Sequence, residues 1–423
     1  MSAADVASGG AVPDGAVADG AVADAVADAV ADGGRRPLAV HWFLPTSGDA
    51  RGILDGAHAK DEPGRASGFR APSLDYLEQV AVAADRLGYE GVLTPTGTWC
   101  EDAWLVTATL VHSTRRLRFL VAFRPGLVSP TLAAQMAATF QRMSGGRLLL
   151  NVVTGGDENE MRRFGDWLDH DERYDRTREF LEVVRGVWDA APFTYEGAHY
   201  RIADARVSAP PDPRPEIYFG GSSDAALPVA AAQADVYLTW GEPPAQAREK
   251  IERVRALAAA QGREVRFGVR LHVITRDRSA DAWDVAQRFL DDLTPEQIAG
   301  AQRLLGASGS VGQQRMVALH GGGDLAVSRR ARDLEIHPGL WAGVGLVRGG
   351  AGTALVGSHE EVADLVGEYR DAGFDELVLS GYPHLEEAYW FAEGVRPLLD
   401  ARGLTSPVAR ADERASRTHA VPF

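Results

Sequence analysis

Arginine and histidine stand two positions apart in an otherwise apolar segment of the chain. Arg270 and His272 lie in VRFGVRLHVITR (265–276), which has the composition of a buried strand. Residues two apart in a strand point to the same face, and a charge there costs free energy unless it is paired or used. The pair therefore predicts either a buried ion pair beside a core histidine or part of a site that binds an anion.

A turn rich in glycine and serine offers a second kind of chemistry. GGSSD (220–224), with Ser222 and Ser223, falls between a predicted strand and a predicted helix. Free N–H groups at a helix start, together with two hydroxyls, suit a phosphate. A plain turn with a Ser or Asp helix cap fits the same pattern, so both interpretations stay open.

Three further stretches of the sequence have two interpretations each. His170 and Tyr174 belong to HDERY, which opens a helix and offers either a cofactor contact or simple surface capping. Cys100 is a nucleophile only with a nearby base or a depressed pKa, and a small polar wall residue is the simpler interpretation. Arg348, among the glycines of 345–357, either clamps an anion when the segment closes or lies in solvent.

Metal chemistry is not predicted. The chain has no HExxH motif, no cysteine cluster and no dense run of carboxylates. His41 is isolated near the first predicted strand and is interpreted as a core residue.

The elements that carry these residues alternate between strand and helix. Eight apolar runs are predicted strands: 38–45, 91–96, 117–125, 147–155, 216–221, 235–240, 265–276 and 376–381. Amphipathic stretches predict helices at 73–88, 102–114, 129–144, 173–190, 245–261 and 359–372. This pattern predicts a (β/α)8 TIM barrel. A doubly wound sheet is the alternative, but no glycine-rich fingerprint follows the first strand.

Barrel active sites lie at the carboxyl ends of the strands. That rule places Asn151, Thr154, Trp240, Tyr382 and His384 at the same rim as the residues above. The rim is cationic, aromatic and rich in hydroxyls, which suits an anionic, partly aromatic ligand.

Composition excludes several classes of protein. A formal net charge of −15 over 423 residues argues against nucleic acid or an anionic membrane as the main partner. No apolar run approaches the ~18 residues of a transmembrane helix. The single cysteine excludes an intramolecular disulfide and fits a cytoplasmic protein.

One large domain is predicted between two tails. Residues 1–36, rich in Ala, Val, Gly and Asp, predict a disordered tail. Residues 37–405 form the barrel domain, and 406–423 form a C-terminal tail. Within the domain, 193–207 predicts a hairpin, and the Gly-, Ser- and Arg-rich segment 306–341 predicts a lid.

Longer blocks carry a family resemblance. They are HWFLPTSGD (41–49), AADRLGYEGVLTPTGTWCEDAWLV (83–106), SPTLAAQMAAT (129–139), NVVTGGD (151–157), LDHDERY (168–174), YFGGSSD (218–224), YLTWGEPP (237–244), RFGVRLHVI (266–274), SVGQQRM (310–316), LWAGVGLVRGGAGTALVG (340–357) and LSGYPHLEEAY (379–389). The chain resembles the bacterial alkanesulfonate monooxygenases of the bacterial-luciferase-like superfamily, from about Val40 to about Leu399. Residues 51–72 and 321–333 are longer than that resemblance leads us to expect.

The resemblance implies a luciferase-like (β/α)8 barrel and a two-component reaction. Reduced FMN comes from a separate NAD(P)H-dependent FMN reductase, and reaction with O2 cleaves an alkanesulfonate to an aldehyde and sulfite, in sulfur acquisition. The resemblance also implies a homotetramer, or at least a homodimer.

Site residues follow position by position from the same resemblance. The matching sulfonate and catalytic residues are Trp240, Arg270, His272, Arg348 and Tyr382, and Cys100 matches an active-site cysteine. The stretches expected to hold the FMN ring and phosphate contribute Asn151, Thr154, His170, Tyr174, Ser222 and Ser223.

We expect Arg270, Arg348 and Trp240 to orient a sulfonate, because a permanent anion requires fixed cations. His272 and Tyr382 would then manage proton transfer or stabilise oxyanions. Three other functions stay open: oxidation of methanesulfonate or a sulfone such as dimethyl sulfone, deazaflavin-dependent hydride transfer, and non-enzymatic flavin binding.

Overall fold

The computed structural model describes residues 35–54, 68–189, 191–319 and 329–407. The predicted tails therefore lie almost wholly outside the described residues, as does much of the two long segments after the first strand and around 321–333. The chain divides between Pro37 and Leu38 into two units, and every element below belongs to the second. None of the described helices is long and apolar enough to cross a membrane.

Thirteen strands are present in the described residues. In chain order they are β1 (Ala39–Phe43), β2 (Gly91–Thr94), β3 (Arg118–Phe123), β4 (Leu148–Val152), β5 (Phe193–Glu196), β6 (Arg201–Ala205), β7 (Glu216–Phe219), β8 (Val236–Trp240), β9 (Arg266–Arg276), β10 (Glu335–His337), β11 (Leu340–Trp341), β12 (Ala354–Ser358) and β13 (Glu376–Ser380). Strands β5 and β6 form the predicted hairpin, with antiparallel pairing.

Eight of these strands close a parallel barrel in the order β9-β13-β1-β2-β3-β4-β7-β8, and β8 pairs back to β9. They are the eight strands predicted from the sequence. The predicted (β/α)8 barrel is therefore confirmed, and the open sheet is excluded because the edge strands meet.

A short extension of the sheet was not predicted. Strand β9 has eleven residues, so its first half pairs with β8 and its second half pairs with β12 along the same edge. Strands β11 and β10 then add antiparallel pairs. The extension places the glycine-rich segment before β12 next to the carboxyl end of the barrel.

The described α-helices surround the barrel or connect its strands. They are α1 (Leu74–Leu87), α2 (Ala103–Leu110), α3 (Pro130–Ser144), α4 (Glu158–Arg163), α5 (His170–Val187), α6 (Ala226–Gln233), α7 (Pro244–Ala259), α8 (Ser279–Asp291), α9 (Pro295–Gly306), α10 (Val311–Ala318), α11 (His359–Ala372), α12 (His384–Trp390) and α13 (Arg396–Ala401). Short 3-10 turns at Ala331–Leu334 and Gly343–Leu346, and a π turn at Phe391–Val395, complete the set.

The segment 306–341 is more regular than its composition indicates. It contains α10, β10 and β11, and residues 320–328 lie outside the described ranges. The Ser310 hydroxyl begins α10 by accepting the N–H of Gln313 at 3.3 Å. A serine cap of this kind is visible in the sequence, but an eight-residue helix shows too little periodicity to be predicted.

The barrel interior is layered. Along β9, Phe267, Val269 and Leu271 pack outward against the helices, so alternation turns Arg266 and Arg270 inward. An apolar middle layer fills the barrel, formed by Phe43, Leu93, Leu120, Leu149, Tyr218, Val236, Leu238 and Val378. This layer separates polar groups at the amino ends of the strands from the candidate site at their carboxyl ends.

Candidate active site at the carboxyl ends of the strands

A cavity of about 310 Å³ opens at the carboxyl ends of the barrel strands. Of the twelve residues predicted for the site, ten line it: Asn151, Thr154, His170, Tyr174, Ser222, Ser223, Trp240, Arg270, His272 and Arg348. Tyr382 and Cys100 lie outside this lining. The strand-end rule thus places residues from distant parts of the chain around one space.

Arg270 is the strongest electrostatic feature of the cavity. Its guanidinium carbon lies 4.3 Å from the centroid of the Phe43 ring. Its Nη1 atom is buried without a hydrogen bond, and no carboxylate within the described ranges forms an ion pair with it. Burial lowers the pKa of Arg270 to about 10, and the charge of Arg348 contributes in the same direction. The side chain stays a cation at neutral pH and has unused donor capacity.

Arg348 supplies a second cation, held by the segment before β12. Its guanidinium carbon lies 5.1 Å from the centroid of Tyr382, and Nη1 donates to the carbonyl of Ile53 at 3.4 Å. Tyr382 is buried and stacks on His272 at 5.3 Å between ring centroids. Tyr382 therefore sits directly behind two lining residues, although it does not line the cavity itself.

His272 is neutral, and both of its ring nitrogens form hydrogen bonds. Its Nε2–H donates to the carbonyl of Ala351 at 3.0 Å, which makes Nδ1 the acceptor of the Ser380 hydroxyl at 2.8 Å. Strand register explains the second bond, since Ser380 on β13 is the direct partner of His272 on β9. Burial and the charges of Arg270 and Arg348 hold the pKa of His272 well below its ordinary value.

The glycine- and serine-rich turn forms a narrow pocket between β7 and α6. A Cβ at Gly221 would lie 2.7 Å from Ala226 and 3.0 Å from the Tyr174 hydroxyl, so the backbone approaches both closely. The Tyr237 hydroxyl donates to the carbonyl of Gly221 at 2.6 Å, and Ser223 accepts the N–H of Ala226 at 3.2 Å. Burial raises the pKa of Tyr174, which keeps its hydroxyl protonated as a donor.

His170 completes that end of the cavity as the first residue of α5, an eighteen-residue helix. Its Nδ1 lies 2.6 Å from Asp171, and its ring is 5.0 Å from that of Tyr174. The capping interpretation of this stretch is confirmed by the capping box of Asp169 and Glu172, and His170 also lines the cavity, where a cofactor contact stays a prediction.

Asn151 on β4 and Thr154, two residues after the end of β4, form one wall of the cavity. No described group hydrogen-bonds the side-chain amide of Asn151, which is buried in the lining. The Thr154 hydroxyl is 3.2 Å from that of Thr177, which itself donates to the carbonyl of Arg173. Asn151 is thus the residue on this wall with free polar capacity.

Cys100 lies beside the cavity, near the lining residues Pro95 and Thr96. Its thiol donates weakly to the carbonyls of Gly97 at 3.6 Å and Pro95 at 3.7 Å. Burial raises the pKa of Cys100 to about 11, partly offset by the Thr46 hydroxyl. The thiol stays protonated at neutral pH, which disfavours the nucleophile, and its position outside the lining does not make it a wall residue of the cavity.

Sequence reasoning missed the residues that α10 contributes. Val311, Gly312 and Met316 line the cavity, and a Cβ at Gly312 would lie 3.1 Å from the Trp240 ring. On α10, Gln313 accepts the backbone N–H of Gly350 at 2.9 Å. The helix therefore covers the cavity and holds the segment that bears Arg348.

A cluster of charged side chains holds helix α10 over the cavity. Glu242 is buried, and its carboxylate receives Arg315 from α10 and Lys250 from α7. Lys250 also lines the cavity and donates to Thr239 at 2.9 Å. No spacing in the sequence indicates this cluster, because its members come from three separate elements.

No group of three His, Cys, Asp or Glu side chains in the described part of the chain is placed to hold a metal ion.

Comparison with known proteins decides the family. The model of the family described as luciferase-like monooxygenase matches residues 40–376. The chain belongs to the luciferase-like monooxygenase family. Membership makes it an enzyme of a flavin-dependent monooxygenase family.

Solved structures agree on the fold of this luciferase-like monooxygenase. Riboflavin lyase, solved with modified FMN and riboflavin, superposes with a TM-score of 0.72 at 20% identity, covering 91% of this chain and 96% of its own. EDTA monooxygenase from Chelativorans sp. BNC1 gives 0.68 at 20% identity, covering 90% and 98%. DmoA from Hyphomicrobium sulfonivorans gives 0.69 at 19% identity, covering 88% and 90%. At these identities the likeness concerns the fold alone.

Proposed function

We propose that this enzyme is an FMNH2-dependent alkanesulfonate monooxygenase. It would convert an alkanesulfonate, O2 and reduced FMN to an aldehyde, sulfite, oxidised FMN and water, and so release sulfur for the cell. The observation that supports this substrate class is Arg270, a cavity arginine with a buried unpaired N–H and no carboxylate partner in the described residues.

The charge of the site favours a sulfonate over neutral substrates. Arg270 and Arg348 face a cavity that also has an apolar wall, with Phe43, Leu93 and Leu238. A sulfonate stays an anion at all physiological pH values, and guanidinium groups bind such oxyanions with directed, charge-assisted hydrogen bonds. A neutral sulfone would supply no negative charge opposite Arg270, whose Nη1 has no hydrogen-bond partner in the described residues, which makes a sulfone the weaker candidate.

The residues present also fit FMN. The turn at Gly220–Ser223 has the close backbone approach and hydroxyls that a phosphate requires, with His170 and Tyr174 beside it. The unpaired amide of Asn151 would hydrogen-bond the ring system. When bound in reduced form, FMN supplies the electrons that activate O2.

The chain's own residues then have distinct tasks. Arg270 and Arg348 bind and orient the sulfonate, with the Trp240 ring as a wall. His272, locked between Ser380 and Ala351, fixes the position of Tyr382 by stacking. In this division His272 orients, and the phenol of Tyr382 is the group that holds or moves a proton.

Helix α10 excludes water from the reaction. It contacts Trp240 through Gly312 and is tied to Glu242 by Arg315. Water exclusion protects reactive intermediates from side reactions. We therefore include 306–341 in the proposal as the lid.

Two features of the proposal concern partners. A two-component reaction needs an NAD(P)H-dependent FMN reductase to supply reduced flavin, either by docking or by diffusion. The enzyme itself is proposed to be a homo-oligomer, a tetramer or a dimer, in the cytoplasm.

Sulfite release tests the proposal directly. The enzyme is supplied with O2, octanesulfonate and reduced FMN from any FMN reductase, and sulfite is measured per flavin oxidised. Methanesulfonate and dimethyl sulfone are run in parallel, and binding of reduced FMN is compared with that of a deazaflavin. Release of sulfite from a sulfonate supports the proposal, whereas none from any sulfonate, or preference for the deazaflavin, overturns it.

Arg348→Ala tests the clamp within this proposal. Loss of the second cation should lower the sulfite yield per reduced flavin, because the anion is held less firmly and closure over it is weaker. Arg303→Ala, on the neighbouring helix α9 and outside the cavity lining, is the control. An unchanged yield in Arg348→Ala would rule out the clamp.

A further inference from the structure

Two histidines flank Tyr382, and they differ in their capacity to take a proton. His272 stacks on one side of the phenol ring, and His384 meets it edge-on at 5.1 Å between centroids. His384 begins α12 directly after β13, and its ring also lies 5.5 Å from that of Phe43, a lining residue. Both histidines are therefore within the surroundings of the proposed site.

His272 is not arranged to accept a proton. Its Nε2–H is donated to the carbonyl of Ala351, and its Nδ1 is occupied by the Ser380 hydroxyl. Two neighbouring arginines, Arg270 and Arg348, also oppose a positive charge on the ring. Protonation would require breaking the Ser380 bond and placing a third cation among the other two.

His384 has the opposite arrangement. Its Nδ1–H donates to the carboxylate of Asp49 at 2.9 Å, and no described group hydrogen-bonds Nε2. A carboxylate behind one ring nitrogen orients the imidazole and stabilises the imidazolium that forms when the other nitrogen takes a proton. The free acceptor is thus supported by a buried negative charge.

Asp49 is held ionised for this purpose. It is fully buried, and besides His384 Nδ1 it accepts the backbone N–H of His384 at 2.7 Å, the N–H of Ala50 at 2.9 Å and the Tyr76 hydroxyl. Burial alone would raise the pKa of Asp49, but His384 and Tyr76 lower it below its ordinary value. Four donors around one carboxylate are more than a simple helix cap requires.

We propose that the Asp49–His384 pair is the proton acceptor that serves Tyr382. The Tyr382 O–H bond breaks and an N–H bond forms at His384 Nε2, directly or through one water, so that a phenolate and an imidazolium result. The phenolate then takes a proton from the bound substrate through a water, because Tyr382 lies behind the cavity lining, and the net effect is transfer of that proton to His384. His384 is a positioning residue in this scheme, because it acts through Tyr382.

The charges around the three groups favour the step. Arg348 lies over the Tyr382 ring, and the charge of Arg270 also acts on it, so a phenolate has cations next to it. The titratable and charged groups that face this array are Asp49 after β1, Tyr76 on α1, Arg270 and His272 on β9, Arg348 before β12, and the Arg70–Glu386 pair beyond Tyr76. Asp49 is the carboxylate in direct contact with His384.

This inference rests on the proposed function, and one measurement needs no substrate. In enzyme labelled with ¹⁵N-histidine, neutral His384 should be the Nδ1–H tautomer and His272 the Nε2–H tautomer, with assignments from His384→Gln and His272→Gln. Asp49→Ala should weaken the preference of His384 for the Nδ1–H tautomer, because the carboxylate that accepts this N–H is removed. The opposite tautomer at 384, or an unchanged tautomer preference in Asp49→Ala, overturns the inference even if no sulfonate is a substrate.

The kinetic arm separates proton transfer from simple packing. His384→Ala should lose about 10²-fold in sulfite formation with little change in KM, since removal of a general base costs that order of rate. Added imidazole should restore part of the rate, and a series of imidazoles should restore more as their basicity rises. A structural role would give no rescue. His337→Gln, which removes a surface histidine paired with Glu368, is the control and should behave as the wild type.

Discussion

Strand β9 carries two inward-facing arginines, four residues apart, in opposite surroundings. Arg266, at the amino end, donates to Glu376 at 2.7 Å and pairs with Glu216. Arg270, at the carboxyl end, has no carboxylate partner in the described part of the chain. The same side chain on one strand thus stabilises the fold at one end and keeps its donors free at the other.

The amino end of the barrel contains a closed network. Glu376 is buried and also accepts the Tyr218 hydroxyl at 2.7 Å, and it lies 3.2 Å from His41 Nε2. Arg118 extends the network by pairing with Glu216 at 3.2 Å. In barrels this end contributes to stability and the other end to chemistry. His41 accordingly belongs to the core, as its position in the sequence indicates.

Glu376→Gln should produce the largest effect on stability. Removing one partner of a buried ion pair typically costs about 3–5 kcal/mol, because the remaining charge stays buried without compensation. We expect the urea-unfolding midpoint to fall accordingly, while reduced-FMN binding in the folded enzyme is unchanged.

Glu90→Gln is the matched control for that variant. Glu90 pairs with Arg118 at 3.4 Å, but it is 48% exposed, and exposed pairs contribute about 0–1 kcal/mol. Equal falls of the urea-unfolding midpoint in the two variants would show that the buried network at the amino end contributes no more to stability than an exposed ion pair.

Arg270→Met should weaken ligand binding without loss of stability, which is the reverse of the result expected for Glu376→Gln. Loss of charged hydrogen bonds worth about 1.5–3 kcal/mol should weaken octanesulfonate binding by about 10- to 100-fold. The unfolding midpoint should stay the same or rise, since a cavity cation without a partner is replaced by an apolar side chain. A large loss of stability would instead mean that Arg270 has a structural role like that of Arg266.

The barrel strands and the face on which Arg270 lies can be predicted from the sequence. That Arg266 has carboxylate partners and Arg270 has none in the described residues cannot. Apolar runs located the barrel strands because strands of a parallel barrel are buried on both faces. A spacing of two placed Arg270 and His272 on one face. The pairing of Arg266 with Glu376, however, joins residues 110 positions apart, and no local pattern distinguishes the paired arginine from the unpaired one.

Other features could not be predicted correctly from the sequence, for related reasons. Strand β12 is hidden in a glycine-rich segment whose composition indicates a loop, and it becomes a strand only because β9 extends past β8. The Asp49–His384 contact spans 335 positions. Cys100 matched an active-site motif, yet its side chain lies just outside the cavity lining.

Lowering the pH should reduce the difference in the free energy of unfolding between the wild type and Glu376→Gln. Burial would raise the pKa of Glu376, but His41, Arg266 and Tyr218 lower it below its ordinary value of 4.5. The unfolded chain therefore binds more protons, and this stabilisation is present above pH 4.5 and is lost as the pH falls through the folded pKa. Urea midpoints measured from pH 7 downward should fall more steeply in the wild type. Parallel slopes would contradict a stabilising ionised Glu376.

The smallest effect compares two buried tyrosines, one for each end. Tyr218 donates to Glu376 at 2.7 Å, and Tyr237 donates to the carbonyl of Gly221 at 2.6 Å. Each Tyr→Phe change removes one hydrogen bond of about 1 kcal/mol. Tyr218→Phe should lower the unfolding midpoint and leave FMN affinity unchanged, because its bond belongs to the closed network. Tyr237→Phe should weaken FMN binding by a few-fold, because its hydrogen bond shapes the turn proposed to bind the phosphate. If the two variants had the same effect on the unfolding midpoint and on FMN affinity, the two ends of the barrel would not differ in the way described.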